Sequence, residues 1–142
     1  MSYIKLMVHT VWGTKNREPI LLDNKRDFLF SHIQSNGRLK GIFIDTIGGY
    51  TDHVHCLISL GADQNISKIM QLIKGESSFW TNKEKLFLNK LYWAEDYFAA
   101  SVSESSIDKV RLYINNQKEH HKKVTFTQEY EQFITSYGFK LG

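Results

Sequence analysis

The chain has 142 residues, of which 42% are hydrophobic and 23% are charged, and its formal net charge is +3 at pH 7. These values are ordinary for one globular domain, and the length is sufficient to bury a core. One cysteine, Cys56, excludes an intramolecular disulfide and a zinc site built from several cysteines.

We expect a single domain over residues 1–142, located in the cytoplasm. Pro19 is the one proline of the chain, so no proline-rich linker divides it. The start, MSYIKLMVHTVWGTKNR, lacks the basic residues and long apolar block of a signal peptide. No apolar run approaches the roughly 20 residues that a membrane span requires. The mild positive charge is compatible with a nucleic-acid partner but does not by itself indicate one.

Strand and helix patterns alternate along the chain. In order, they predict a strand at 3–13, a helix from Asp23 to Gly37 or Gly41, strands at 42–50 and 53–60, a helix within 64–83, a strand at 96–103, a helix over 105–123 and a short helix at 127–139. The β-α-β-β-α-β order indicates an α+β fold, with a ferredoxin-like or RRM-like antiparallel sheet and helices on one face. The other face of the sheet is then expected to be open to a ligand.

Local signals support several of these elements. Asp23 begins a segment with an apolar side, as is typical of a helix start. Gly48 and the glycine after it precede a short connection, which predicts a hairpin between the second and third strands. Within 64–83, isoleucine and methionine recur at intervals of three and four residues, which predicts an amphipathic helix. A serine before Asp108 predicts a capped start for the next helix.

The segment TDHVHCLISL, residues 51–60, places two histidines on one face of a predicted strand. Because side chains alternate along a strand, His53, His55 and Leu57 share that face, while the intervening residues are apolar and should pack against helices. Two neutral imidazoles at this spacing can hold one divalent cation. Two ordinary surface histidines explain the pattern equally well. Asp52 is more simply a turn residue than a carboxylate supporting the pair.

Tyr113 and Gln117 lie four residues apart in the predicted helix and therefore on one side of it. His120 continues the same line, beside an apolar side that anchors the helix. A tyrosine hydroxyl, with a pKa of about 10, is a weak nucleophile at neutral pH and needs a neighbouring cation or base. A half-buried tyrosine next to a solvated glutamine explains the spacing as well.

Several polar side chains are candidates for contacts with a nucleic-acid backbone. They are Lys15, Arg17, Lys68, Lys74, Ser77, Ser78 and Arg111. Taken singly, each is explained more simply as a surface charge or a helix cap. Trp80, Trp93 and Phe98 are candidates for stacking on bases, although core packing is the simpler explanation.

Together, the histidine strand and the tyrosine helix resemble a known signature. His53-Val54-His55 is similar to the histidine–hydrophobic–histidine motif of HUH nucleases. Tyr113 to Gln117 is similar to the Tyr-x-x-x-Gln helix of single-tyrosine transposases of the insertion-sequence-200/605 family. VWGTKNREPIL, LIKGESSFW and FAASVSESSIDKVRLYINNQKEHHKK also resemble that family, in the same order and over nearly the whole chain.

The resemblance implies a DNA transposase that acts on single-stranded DNA with a hairpin at each element end. It implies that Tyr113 attacks a phosphorus to give a 5′-phosphotyrosine, and that His53, His55 and Gln117 hold Mg²⁺ or Mn²⁺. It also implies a homodimer and leaves open whether the tyrosine of one subunit serves its own site or, in trans, that of its partner.

Two other functions remain open. One is a repeat-associated tyrosine transposase, with the same chemistry on chromosomal palindromes. The other is a non-catalytic single-stranded nucleic-acid-binding module, for which aromatic residues on the sheet face would be expected instead of two histidines.

Overall fold

The computed structural model describes residues 2–139. Its elements are β1 (Leu6–Gly13), α1 (Asp23–Leu39), β2 (Phe43–Tyr50), β3 (His53–Leu60), α2 (Ile66–Lys83), β4 (Phe98–Val102), α3 (Ile107–Asn115), α4 (Gln117–His120) and α5 (Phe126–Ser136). Lys15–Arg17 and Glu104–Ser106 each form one turn of 3-10 helix. Within residues 2–139, no helix combines the length and the hydropathy needed to cross a membrane.

The four strands form one antiparallel sheet in the order β2-β3-β1-β4. β1 lies at the centre, pairing with β3 on one side, where Gly13 lies opposite His53, and with β4 on the other. β2 and β3 form the predicted hairpin, in which Gly48 lies opposite His55. The two crossover helices and this strand order match the predicted ferredoxin-like arrangement.

One face of the sheet is covered by an apolar core. Val54, Cys56 and Ile58 of β3 are buried there beneath α1 and α2. The helices contribute Leu29, Phe30, Ile33, Ile69, Met70 and Ile73. The predicted alternation of β3 and the predicted apolar side of α2 are therefore both confirmed for this face.

The opposite face is also covered, so the expectation of an open face was wrong. Met7 and Leu57 pack there against two isoleucines of α3. Val11 and Phe98 pack against Phe126 of α5 and its neighbours. Period-two alternation determines which side chains share a face, but not whether a later helix returns to cover them. The apolar sides of α3 and α5 cover this face, because burial of apolar surface is favourable by about 25 cal/mol per Å².

The predicted helix over 105–123 is broken in the middle. Asn116 has φ −106° and ψ 21°, which ends α3 before α4 begins. Asparagine side chains compete with helical backbone hydrogen bonds and are favoured at such ends. Ser106 precedes α3 without the predicted side-chain cap. The break does not separate Tyr113 from Gln117, since the Gln117 amide donates to the Tyr113 carbonyl oxygen at 3.2 Å.

Candidate active site

Both histidines of β3 lie beneath the C-terminal helices. The exposed fraction of His53 and of His55 is 0%, so neither is a surface histidine. His53 Nδ1 donates to Asp52 Oδ1 at 2.9 Å, which gives that turn residue a supporting role as well. His55 Nδ1 lies 2.9 Å from His9 Nε2. With both Nδ1 atoms engaged, both Nε2 atoms face the interior of the site, an orientation typical of metal-binding histidines.

Burial keeps the imidazoles of His55 and His9 uncharged. It lowers the pKa of His55 to about 3 and that of His9 to about 4, and in each case it outweighs the opposing effect of a nearby carboxylate. Both rings are therefore neutral at pH 7. A neutral imidazole has a free lone pair, which is the form that binds a cation.

Tyr113 lies beside His55, with 5.6 Å between their ring centroids. Its hydroxyl donates to Glu129 Oε2 and lies 3.3 Å from His120 Nε2. Burial, followed by the hydrogen bond to the Glu129 carboxylate, raises the pKa of the hydroxyl. The phenol is thus protonated at neutral pH, and a positive charge close by is needed to make it nucleophilic.

Gln117 joins the tyrosine segment to the histidine strand. Its side chain is buried, and its Oε1 lies 2.9 Å from His53 Nε2 and 3.0 Å from His121 Nε2. Imidazole nitrogen and amide oxygen both coordinate divalent cations. The 2.9 Å between His53 Nε2 and Gln117 Oε1 is a separation at which one ion can be bound by both.

Two contacts hold the tyrosine helix on its own sheet. A Cβ at Gly48 would lie 2.3 Å from the Ile114 carbonyl oxygen, so glycine permits the close approach of α3 to β2. Arg111 donates through Nε and Nη2 to the two carboxylate oxygens of Asp45, each at 2.9 Å. The Arg111 hydrogen bond lowers the pKa of Asp45. Tyr113 therefore meets the histidines of its own chain.

Glu129 is the central residue that sequence reasoning missed. Its side chain is 2% exposed, and it contacts Tyr113 and four histidines: His53, His55, His120 and His121. Burial opposes its ionisation, but hydrogen bonds from His121 and His55 outweigh burial and lower its pKa. One signal was present in the sequence. Glu129 lies between Phe126, Tyr130 and Phe133, on the apolar side of an amphipathic helix where a charge is unusual.

The donor set fits a divalent cation. Ligand atoms of His53, His55 and Glu129 all lie within 4.8 Å of one another. Neighbouring ligands of an octahedral ion with bonds of 2.0–2.1 Å lie about 3 Å apart. The observed separations are close to that value. His53 Nε2 lies 2.9 Å from Gln117 Oε1 and 3.5 Å from Glu129 Oε1, and His55 Nε2 lies 3.0 Å from Glu129 Oε1. Imidazole, carboxylate and amide oxygen are suitable ligands for Mg²⁺ or Mn²⁺.

Three of the four predicted DNA contacts on α2 have partners within the chain, on the sheet face away from the histidines. The Lys74 ammonium donates to the carbonyl oxygens of Ala94 and Glu95 at 2.6 Å and 3.1 Å, and burial lowers its pKa. Ser77 Oγ accepts from the Trp93 indole at 2.9 Å. Ser78 Oγ donates to the Lys74 carbonyl oxygen at 3.0 Å. In this state each of the three side chains has a partner within the chain.

The remaining basic candidates are spread over the molecule. Lys15 and Lys68 are exposed. The Arg17 guanidinium lies over the Phe126 ring, 4.7 Å from its centroid, and so contacts α5 near the site. Arg111 is held by Asp45, as described above. Their contacts with DNA stay predictions.

The three aromatic candidates pack within the protein. Trp80 stacks on His32 with 3.8 Å between centroids. Trp93 makes an edge contact with Trp12. Phe98 is buried beside Phe133 of α5. Base stacking by any of them also stays a prediction.

A sequence model of the family described as "Transposase IS200 like" matches residues 2–117. The matched range contains His53, His55, Tyr113 and Gln117, and it ends before α5. The family predicted from the two motifs is therefore confirmed.

Individual relatives agree with this assignment. The chain is 29% identical over 119 residues to the ISDra2 transposase TnpA of Deinococcus radiodurans, covering 80% of this chain and 84% of that protein. It is 27% identical over 120 residues to the transposase for insertion sequence element IS200 of Salmonella typhimurium, covering 80% and 78%.

Two solved structures share the fold. A crystal structure from Deinococcus radiodurans R1 aligns with a TM-score of 0.64 at 24% identity, over 82% of this chain and 93% of that one. A REP-associated tyrosine transposase bound to a REP hairpin aligns with a TM-score of 0.65 at 20% identity, over 87% and 73%. These alignments confirm the predicted α+β fold.

Proposed function

This chain belongs to the family of IS200-like transposases, and from that membership we propose that it cleaves and rejoins single-stranded DNA with Tyr113 as the nucleophile. The proposed substrate carries a hairpin near each cleavage position. The proposed intermediate is a 5′-phosphotyrosine, and the proposed cation ligands are His53, His55 and Gln117.

The observation that carries this proposal is the convergence of a phenol and two imidazoles on one buried carboxylate. Glu129 Oε2 accepts from the Tyr113 hydroxyl, and Glu129 Oε1 lies 3.0 Å from His55 Nε2. His53 and Tyr113 are 60 positions apart in the chain, so the sheet and α3 are needed to bring them together. A DNA phosphate at this point would meet both the nucleophile and the cation ligands.

Each residue has a defined part in the proposed reaction. Tyr113 Oη forms a bond to a DNA phosphorus, and the bond from that phosphorus to the 3′ oxygen breaks. The phenol gives up its proton, and the departing 3′ oxygen gains one. Because the number of phosphodiester bonds is unchanged, a different 3′-OH can attack the phosphotyrosine and join new strands without ATP.

His53, His55 and Gln117 would hold Mg²⁺ or Mn²⁺. When bound, such an ion withdraws charge from a non-bridging phosphate oxygen and stabilises the leaving oxygen. Asp52 and His9 orient the two imidazoles through their Nδ1 atoms. The raised pKa of the Tyr113 hydroxyl explains why the phenol would be inert without a positive charge beside it.

A groove beside Tyr113 is a suitable path for the strand. Its volume is about 550 Å³, and Lys109, Lys123 and His120 are among its lining residues. Lysine ammonium groups attract DNA phosphates without regard to sequence. The relative solved with a REP hairpin supports a hairpin-bearing substrate for this chain too.

We further propose that the protein acts as a homodimer, so that two tyrosines can cleave two ends. Tyr113 lies beside its own His55 in the described chain, which favours action in cis. A mixture of Tyr113→Phe subunits with His53→Ala subunits tests this arrangement. Cis action predicts no cleavage by the mixed dimer, whereas trans action restores it.

The direct test is incubation with end-labelled single-stranded DNA and Mn²⁺, followed by a denaturing gel. The wild-type chain should give a protein-linked DNA band, and Tyr113→Phe should give none while it still binds the hairpin. Tyr137→Phe, on an exposed tyrosine near the end of the described chain, is the matched control and should retain the band. Binding without any adduct from the wild type would instead indicate a non-catalytic binding module.

The same assay separates mobile-element ends from chromosomal palindromes. Hairpins taken from DNA flanking a copy of the gene are compared with hairpins from dispersed palindromes elsewhere in the chromosome. Preference for the flanking hairpins supports transposition of the element, and preference for the dispersed palindromes supports the repeat-associated activity.

A further inference from the structure

We propose that Glu129 is a ligand of the catalytic cation and at the same time positions the Tyr113 hydroxyl, so that α5 is part of the active site. The inference rests on the proposed function, because it adds a residue to the same site. Glu129 lies outside residues 2–117, the range that the family model matches.

Distances place one carboxylate oxygen among the imidazoles. Glu129 Oε1 lies 3.0 Å from His55 Nε2 and 3.5 Å from His53 Nε2. Both imidazoles use Nδ1 elsewhere, so Nε2 is the atom available to a cation. Carboxylate oxygen and imidazole nitrogen together form a common ligand set for divalent ions in proteins.

The second oxygen contacts the nucleophile. Glu129 Oε2 accepts from the Tyr113 hydroxyl and lies 3.0 Å from His120 Nε2. One carboxylate therefore touches the phenol with one oxygen and the imidazole pair with the other. A ligand with this geometry sets the distance between phenol and cation.

The helix is built to hold this side chain in place. Thr125 and Gln128 form a reciprocal capping box at the start of α5. Phe126 stacks on His53 with 4.2 Å between ring centroids and 2° between ring planes. Phe126 and Tyr130, which flank Glu129 on the helix, are both buried against the sheet.

The test measures Mn²⁺ affinity by electron paramagnetic resonance, without DNA and without turnover. Glu129→Gln should weaken Mn²⁺ binding by about 10–100-fold or more, since even groups that only orient ligands contribute that much. Glu131→Gln, which removes an exposed carboxylate from the same helix, is the charge-matched control and should bind as the wild type does. Glu129→Asp keeps the carboxylate on a shorter stem and should bind with intermediate affinity.

Unchanged or tighter Mn²⁺ binding by Glu129→Gln would overturn the inference. The carboxylate would then only contact the imidazoles in the metal-free protein, without binding the cation. Thermal unfolding of each variant in EDTA shows whether it folds. If Glu129→Gln does not fold, Glu129→Asp decides, and wild-type affinity in that variant rejects the ligand role.

A His53→Ala, His55→Ala variant distinguishes the two proposals. If that variant loses Mn²⁺ while Glu129→Gln keeps it, the proposed function stands and this inference fails.

Discussion

The two faces of the sheet are both buried, but with different chemistry. Beneath α1 and α2 the strand β3 contributes Val54, Cys56 and Ile58 to an apolar core. Beneath α3, α4 and α5 the same strand contributes His53 and His55, which meet a carboxylate, an amide and a phenol. Alternate residues of one strand thus serve stability on one face and chemistry on the other.

The second face shows how polar groups can be buried without a large loss of folding free energy. His53 and His55 each have a partner for both ring nitrogens, and Gln117 and Glu129 supply oxygens toward them. Buried polar groups without partners would cost about 1–3 kcal/mol each. We therefore expect substitution of apolar residues on the first face to change unfolding, and substitution of the polar residues around His53 and His55 to change metal binding and cleavage.

The largest effect is expected from His53→Ala combined with His55→Ala. Removing both imidazoles takes away the nitrogen ligands, so Mn²⁺-dependent cleavage should fall below detection. Cleavage of labelled single-stranded DNA on a denaturing gel measures the effect. His32→Ala, which removes a histidine from α1, is the control and should cleave normally. Normal cleavage with Mg²⁺ by the double variant would place the site elsewhere.

Ile58→Ala probes the apolar face. Ile58 is fully buried, and truncating such a side chain costs about 2–5 kcal/mol of unfolding free energy. Urea denaturation measures the loss. Mn²⁺ affinity of the folded fraction should be unchanged, and a large fall in that affinity would show that the two faces are not separable.

Gly48→Ala tests the seating of the tyrosine helix. The added Cβ would meet the Ile114 carbonyl oxygen, so α3 must shift. A displacement of about 1 Å can reduce rate about 100-fold, and a comparable fall in phosphotyrosine formation is expected while both imidazoles still bind Mn²⁺. Gly75→Ala is the control, because a Cβ there has no neighbour within 4 Å among the described residues. Equal rates for the two variants would contradict the close-approach argument.

The smallest effect is expected from Arg111→Gln, and it depends on pH. Arg111 lowers the pKa of Asp45, so this pair stabilises the fold above the ordinary carboxyl pKa of about 3.9, and the contribution is lost as pH falls through the lowered value. The variant should therefore be less stable than the wild type at pH 7, and the gap should narrow in acid. Melting temperatures from pH 7 to pH 2 measure it, with the exposed Lys109→Gln as the charge-matched control. A gap that does not change with pH would show that Asp45 is not the partner that matters.

The sequence predicted much of what local periodicity controls. The bounds 53–60 of the histidine strand agree with β3, and the shared face of His53 and His55 follows from alternation alone. The spacing of Tyr113 and Gln117 survived the break at Asn116, because a side-chain hydrogen bond keeps them together.

Contacts between residues far apart in the chain could not be predicted from local patterns. Glu129 lies 74 positions after His55, and the strand pattern does not indicate which later helix will cover it. His9 was missed for the same reason, since its pairing with His55 depends on the register between β1 and β3. A charged residue on the apolar side of a helix was the one local sign of Glu129.

The central claim is that the phenol of Tyr113 becomes the covalent link to DNA. The most direct measurement is protease digestion of the protein–DNA adduct followed by tandem mass spectrometry of the nucleotide-bearing peptide. We expect a 5′-phosphate on Tyr113 of the RLYINNQK segment. An adduct on another residue such as Tyr130, or cleavage of hairpin DNA with no nucleotide on any tyrosine, would contradict it.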